Sequence, residues 1–252
     1  KLFCMDAHGL FTVPPRTNPD ALYIYGVLAC GSWLAVYLAN PGIVNAETFQ
    51  DMKALYPYDQ VIFVSGKNCP TCKQPKLPRT KHDSLIGACI ARYDHFCGWT
   101  GNAIGLYNTN RFCLFLLVHL TMLIHGSALC AEIVYARMLS LIDGGYTYIP
   151  TNERITRMSI VIAFSAEPTL CLFLFVLILT ALVVGGFLFF HVSLVSSNIT
   201  TSESAKWSPI NKACADYLKE HGRSYGSMLQ QLAEKEALET ATPLQHVPPF
   251  HA

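Results

Sequence analysis

Apolar residues in this chain gather into long blocks rather than recurring with a helix or strand period. Three blocks, 21–39, 112–131 and 169–194, contain no Asp, Glu, Lys or Arg. A helix needs about 20 apolar residues to cross the hydrocarbon of a bilayer. Core helices of soluble proteins rarely stay uncharged for so long. The pattern predicts membrane-spanning helices over 21–39, 112–134 and 169–195. A shorter apolar stretch, 159–166, is cut from the third block by Glu167-Pro168 and reads as an interfacial lead-in. Residues 225–239 read as a short surface or docking helix with one polar face, and 243–252 as disordered.

Composition agrees. Hydrophobic residues make up 52% of the 252 and charged residues 14%, against about 25% charged in an ordinary soluble domain. The net charge of +1 leaves no electrostatic footprint for nucleic acid. Lys and Arg are uneven between the blocks. Segment 40–111 holds eight and the tail after the third block five, whereas 135–168 holds three. Positive loops favour the cytosol. The expected order is therefore a lumenal segment 1–20, a span 21–39, a cytosolic domain 40–111, a span 112–134, a lumenal loop 135–168, a span 169–195 and a cytosolic tail 196–252. The chain opens without an apolar signal-peptide core and without Met.

Four of the ten cysteines fall between 69 and 97, on the side assigned to the cytosol, where disulfides are disfavoured. Cys69-Pro70-Thr71-Cys72 can aim two thiolates at one point, and His82 and Cys89 are the nearest groups to complete a zinc tetrahedron. The competing reading is a redox pair, which wants a βαβ setting that the surrounding prolines and lysines do not suggest. Cys97 lies in Asp94-His95-Phe96-Cys97. Residues two apart share a face of an extended segment, so His95 can reach Cys97 and act as its base. Asp94 could fix the imidazole if the chain bends there. Spacing alone leaves open whether His95 and Cys97 are instead further zinc ligands.

The stretch 69–112 resembles the cysteine-rich domain of the DHHC protein S-acyltransferases, or palmitoyltransferases. The matching residues are Cys69, Cys72, Arg79, His82, Cys89, Arg92, Asp94, His95, Cys97, Trp99, Asn102, Gly105, Asn108 and Phe112. Asn40-Pro41-Gly42 and Thr200-Thr201-Ser202-Glu203 resemble two further motifs of that family. The resemblance implies an α-helical polytopic membrane protein with a small zinc-binding cytosolic domain between spans. It implies that Cys97 takes an acyl group from palmitoyl-CoA, with His95 as base and Asp94 orienting it, and passes it to membrane-proximal cysteines of protein substrates. Trp99 would line the entrance and Thr201 would contact Asp94. Residence in the Golgi or endoplasmic reticulum is the family expectation.

The sequence departs from that family in three ways. The motif has Phe96 where a second His is usual. The positions of a second zinc site hold Asp83, Ile86, Phe96 and Ala103, which reads as one zinc retained and the other replaced by an apolar plug. The family has four spans, so a first span would precede residue 1. Two other functions compete. A catalytically inactive membrane adaptor on the same fold would have no chemical need for the Asp94, His95 and Cys97 set. A small transporter is disfavoured because no span carries a charge at mid-depth. His119, His125 and His191 read as satisfied interior or interface histidines.

Overall fold

The computed structural model describes residues 20–143 and 167–220, with positions 18, 161, 164 and 165. The surface helix read at 225–239, the disordered end at 243–252 and most of the segments 1–20 and 144–166 lie outside the described residues.

Each apolar block forms a helix. α1 is Ala21–Tyr37, α3 is Thr109–Asp143 and α4 is Pro168–Ser196, and between α1 and α3 lies a short helix α2, Phe49–Leu55. The Thr109–Met138 part of α3 and all of α4 are long and apolar enough to cross a membrane, while α1 is a shorter apolar helix of 17 residues. α4 starts at Pro168 with Glu167 as its N-cap residue, where proline's missing N–H has no helical partner to lose. α3 continues nine residues past the expected span end at 134. Arg137 donates from Nε to Glu167 Oε1 at 2.8 Å there, so the added turns carry a charge already paired. α3 packs against both α1 and α4.

Four three-residue strands form two antiparallel hairpins: β1 (Lys81–Asp83) with β2 (Ala88–Ile90), and β3 (His95–Cys97) with β4 (Asn102–Ile104). The register sets His82 opposite Cys89, Phe96 opposite Ala103 and Cys97 opposite Asn102. Strands this short do not hold themselves together, so side chains supply the rest. Asn102 donates from Nδ2 to Val36 O at 2.9 Å and Ala39 O at 2.8 Å. It thereby adds a side-chain donor to the carbonyls at the end of α1. Asn108, fully buried, donates to Ala103 O at 2.8 Å and accepts from Gly105 N at 2.9 Å. Gly105 admits no side chain, because a Cβ there would stand 2.5 Å from Pro41 O and 2.9 Å from Ala91 O. The 40–42 turn therefore packs directly on the hairpins.

Two compact units are distinguished, 1–201 and 202–252. Helix α5, Thr201–Glu220, begins at the last residue of the first unit and is amphipathic, with Pro209 inside it.

Candidate active site

The first hairpin and the Cys69–Cys72 turn bring four donors together. The ligand atoms of Cys69, Cys72, His82 and Cys89 lie within 4.8 Å of one another. Cys72 Sγ is 3.2 Å from His82 Nδ1 and 3.8 Å from Cys89 Sγ. Two sulfurs bound to a tetrahedral zinc at about 2.3 Å each stand about 3.8 Å apart, whereas a disulfide needs about 2.05 Å. All four cysteines of the segment are free thiols. Burial first, then the Cys69 and Cys72 groups, push the Cys89 thiol up to about 12. Such crowded thiols ionise together only around a cation, so the donor set fits a metal ion. The register explains the spacing: His82 and Cys89 are cross-strand partners, and the tight turn supplies the other two.

The positions emptied of a second ligand set hold a different network. Asp83 is buried. Its Oδ1 accepts from the amides of Leu85 and Ile86, both at 3.0 Å, and its Oδ2 accepts from the Tyr93 hydroxyl at 2.8 Å. Burial, then Asp83, push the Tyr93 phenol up, so it remains a proton donor. Tyr93, Ala103 and Ile90 form a small core with Ile86, Ala88, Ile43 and Phe96 against it. The apolar plug expected at Ile86, Phe96 and Ala103 is present, but Phe96 is half-buried rather than buried. The hydrogen bond between Asp83 and Tyr93 was not foreseen, because nothing in the spacing marks a pair ten residues apart across two hairpins. Phe96→His is expected to lower stability by about 1 kcal/mol, the low end for an unpartnered polar group, and to bind no additional zinc. Phe96→Leu should be better tolerated. Thermal unfolding with metal analysis checks both, and a second equivalent of zinc in Phe96→His would refute the plug.

Beyond this network the chain turns at Arg92, whose φ is +46°. Asp94 is buried, and its Oδ2 accepts from His95 Nδ1 at 2.8 Å. The Thr201 amide donates to Asp94 Oδ1. Burial alone pushes the Asp94 carboxyl up, but His95 and Thr201 pull it below the usual carboxylate range. Burial alone would depress His95, yet Asp94 and then Cys97 carry it up to about 9. Burial pushes the Cys97 thiol up, while His95, the hydroxyl and amide of Thr100 and the amide of Trp99 pull it below the ordinary thiol value. Cys97 is thus shifted toward the thiolate and His95 toward the imidazolium, with Asp94 behind the ring on Nδ1; the buried Nε2 of His95 has no hydrogen-bond partner.

Cys97 is packed among Val36 of α1, Ile104 of β4 and Phe112, Phe115 and Leu116 of α3, with Val184 and Leu188 of α4 against them. Its sulfur lies where three apolar helices converge. Phe96 belongs to the other cluster, as strand alternation requires. Trp99 is 88% exposed. Its carbonyl accepts from Trp33 Nε1 of α1 at 3.0 Å, which ties the loop after Cys97 to that helix. Sequence reasoning missed Thr100, fully buried and donating to Cys97 O at 3.3 Å. It also misread His191 as satisfied. His191 Nδ1 faces Asp94 Oδ2 at 3.6 Å, and its buried Nε2 has no hydrogen-bond partner.

The fold and site define a class: helices able to cross a membrane, a Cys3His metal quartet, and a depressed cysteine backed by a His–Asp pair. Residues 62–208 match the family model described as DHHC palmitoyltransferase, and the chain belongs to that family. It is 31% identical over 173 residues to palmitoyltransferase ZDHHC4 of Mus musculus, covering 66% of this chain and 49% of that protein. It is 32% identical over 188 residues to palmitoyltransferase swf1 of Schizosaccharomyces pombe, covering 71% and 48%. It is 34% identical over 208 residues to palmitoyltransferase swf1 of Aspergillus fumigatus, covering 81% and 55%. The chain spans about half the length of these curated relatives.

Proposed function

We propose that this protein is a protein S-acyltransferase that moves a long-chain acyl group, palmitoyl, from acyl-CoA to cysteines of membrane-proximal proteins. The observation that carries this reading is Cys97, packed where α1, α3 and α4 meet, two residues from a His95 that Asp94 holds at 2.8 Å. In the first half-reaction the Cys97 sulfur attacks the thioester carbonyl. The C–S bond to CoA breaks as the Cys97–acyl bond forms, and the His95 proton goes to the departing CoA sulfur. In the second, neutral His95 takes the proton of a substrate thiol, whose sulfur displaces Cys97 from the acyl carbon. Asp94 holds the ring and balances its charge throughout.

The apolar helices around Cys97 suit an acyl chain lying within the bilayer while CoA stays in water. In this reading 40–111 and 196–252 are cytosolic, 1–20 and 135–168 lumenal, and α1, α3 and α4 span an endoplasmic reticulum or Golgi membrane. Cys69, Cys72, His82 and Cys89 hold one zinc, whose contribution is structural. Trp99 and Thr201 support the site, the first at its exposed rim and the second through Asp94. Purified protein in nanodiscs with palmitoyl-CoA should acquire a hydroxylamine-labile acyl group and pass it to a membrane-anchored cysteine protein. Binding of acyl-CoA without any thioester would mark an adaptor instead.

The pH dependence follows from the same pair. Single-turnover acylation should rise as Cys97 ionises and fall as His95 loses its proton near about pH 9. Asp94→Asn removes the group that raises His95, so the alkaline limb should move to lower pH. An unmoved limb would show that Asp94 does not act through His95.

A further inference from the structure

α4 is apolar along its length, and among its described residues only Cys171 and His191 are buried. His191 is 2% exposed. A membrane span has no packing need for a histidine at that position, and an ionisable residue within a span ordinarily serves a site. Its ring sits 5.1 Å from that of Phe112 of α3 and 4.5 and 5.6 Å from those of Phe187 and Phe190 of α4, centroid to centroid. The His95 ring is 5.4 Å away. From this aromatic cage His191 Nδ1 points at the same oxygen of Asp94 that His95 holds.

We propose that His191 is a positioning residue for Asp94, holding the carboxylate from the α4 side as the Thr201 amide holds it from the other. This rests on the acyltransferase reading of the same site and names a member that the motif does not contain. His95 already holds this carboxylate at 2.8 Å, and a second imidazolium among the aromatic rings would carry its charge with no hydrogen-bonded counter-ion of its own. His191 is therefore neutral, with its proton on Nδ1 toward Asp94 and a lone pair on the unpartnered Nε2.

At 3.6 Å the contact is longer than a hydrogen bond. Contacts of this kind often tighten only when substrate is bound. The need for it is greatest after the first half-reaction. His95 has then given its proton to the CoA sulfur, and Asp94 has lost the cation that held it. A donor that cannot leave with the proton keeps the carboxylate ionised and in place until His95 is charged again. Among the described residues, the titratable groups facing this pair are His95 and Cys97 from β3, with Cys113 of α3 and Tyr93 within electrostatic reach of Asp94.

The test uses His191→Phe, which keeps the aromatic bulk, and His191→Asn, whose amide nitrogen falls near the place of Nδ1. His191→Gln puts its amide near Nε2 instead. Two readouts are taken in nanodiscs on protein with unchanged zinc content. The first is single-turnover acylation by palmitoyl-CoA. The second is alkylation of Cys97 by iodoacetamide against pH, followed on the Cys97 peptide by mass spectrometry. His191→Phe and His191→Gln should slow acylation by roughly 10- to 100-fold, the range of a lost hydrogen bond to a charged group. Both should also move Cys97 alkylation to higher pH, because a misplaced Asp94 no longer sustains the His95 cation. His191→Asn should recover most of the rate and the wild-type alkylation profile. If His191→Phe fails to fold, the Asn and Gln pair carries the same contrast. An alkylation profile unmoved by Phe or Gln, or an Asn variant as impaired as they are, would overturn the proposal. Absence of acylation in the wild type with the alkylation contrast intact would overturn the acyltransferase reading and leave the positioning role standing.

Discussion

Cys97→Ser is expected to abolish the hydroxylamine-labile acyl group while leaving the fold and the zinc in place. The change removes no volume of consequence from the cluster of Val36, Ile104, Phe112, Phe115 and Leu116 that surrounds the sulfur. What it removes is the nucleophilic sulfur. Cys97 is held below the ordinary thiol value by His95, Thr100 and the Trp99 amide against the opposing effect of burial. A serine hydroxyl in the same place stays protonated, because no comparable arrangement lowers an alcohol far enough. His95→Ala is expected to be less absolute. The sulfur remains, but it loses the largest of its stabilising partners, and the leaving CoA loses its proton donor. Removal of a positioned acid–base group typically slows a reaction about 10²–10⁴-fold. Acylation from palmitoyl-CoA followed on gels, with zinc measured on the same samples, decides both. Acylation surviving Cys97→Ser would move the nucleophile elsewhere. Loss of zinc in His95→Ala would make His95 a ligand, the alternative that spacing alone had left open.

The helices were legible because the bilayer dictates them. A run such as 169–194 has one stable solution in lipid, a helix that satisfies its own backbone, and α4 occupies it. Their ends were less legible, since polar residues can extend a helix beyond the membrane when they find partners, as Arg137 does with Glu167. The hairpins could not be read from periodicity at all. A three-residue strand has no period, and the second hairpin is fastened instead by side chains: Asn102 reaches back over sixty residues to Val36 and Ala39, and Asn108 closes locally on Ala103.

Within the site, the residues carried by short motifs were visible and those carried by tertiary contact were not. Asp94, His95 and Cys97 are neighbours in sequence, so their chemistry could be argued from spacing, including the contact of Asp94 with His95. Thr201 was foreseen only through a family resemblance. His191 and Tyr93 had neither route. A histidine inside an apolar run looks like packing until the fold sets it beside a carboxylate from another segment. A tyrosine ten residues from an aspartate looks incidental until two hairpins stack them. The physical reason is common to both: a buried polar atom announces itself only when its partner, or the lack of one, is known.

The second large effect concerns the quartet. One zinc per chain is expected, measured by elemental analysis of purified protein, and Cys72→Ala or His82→Ala should release it and unfold the first hairpin. A structural zinc contributes an apparent ~10–16 kcal/mol in small domains. Each side chain of the plug on the other hairpin contributes about 1.5–3 kcal/mol on full burial, and the Asp83–Tyr93 hydrogen bond about 1.5–3 kcal/mol. The second hairpin is further fastened to α1 and α3 by Asn102, Asn108 and the packing around Cys97. Among the described residues no side-chain hydrogen bond of this kind is seen from the first hairpin to a long helix, and its β1 and β2 strands are only three residues each. Zinc loss should therefore expose the first hairpin to proteolysis and hydrogen exchange well before the second. Acylation should fail as a consequence, because the Tyr93 amide hangs from Arg79 O at 3.1 Å, between the ligands Cys72 and His82. Chelation followed by exchange measured residue by residue reads this order directly. Two zincs per chain, or a Cys72→Ala protein that keeps its zinc and a protected first hairpin, would overturn the assignment.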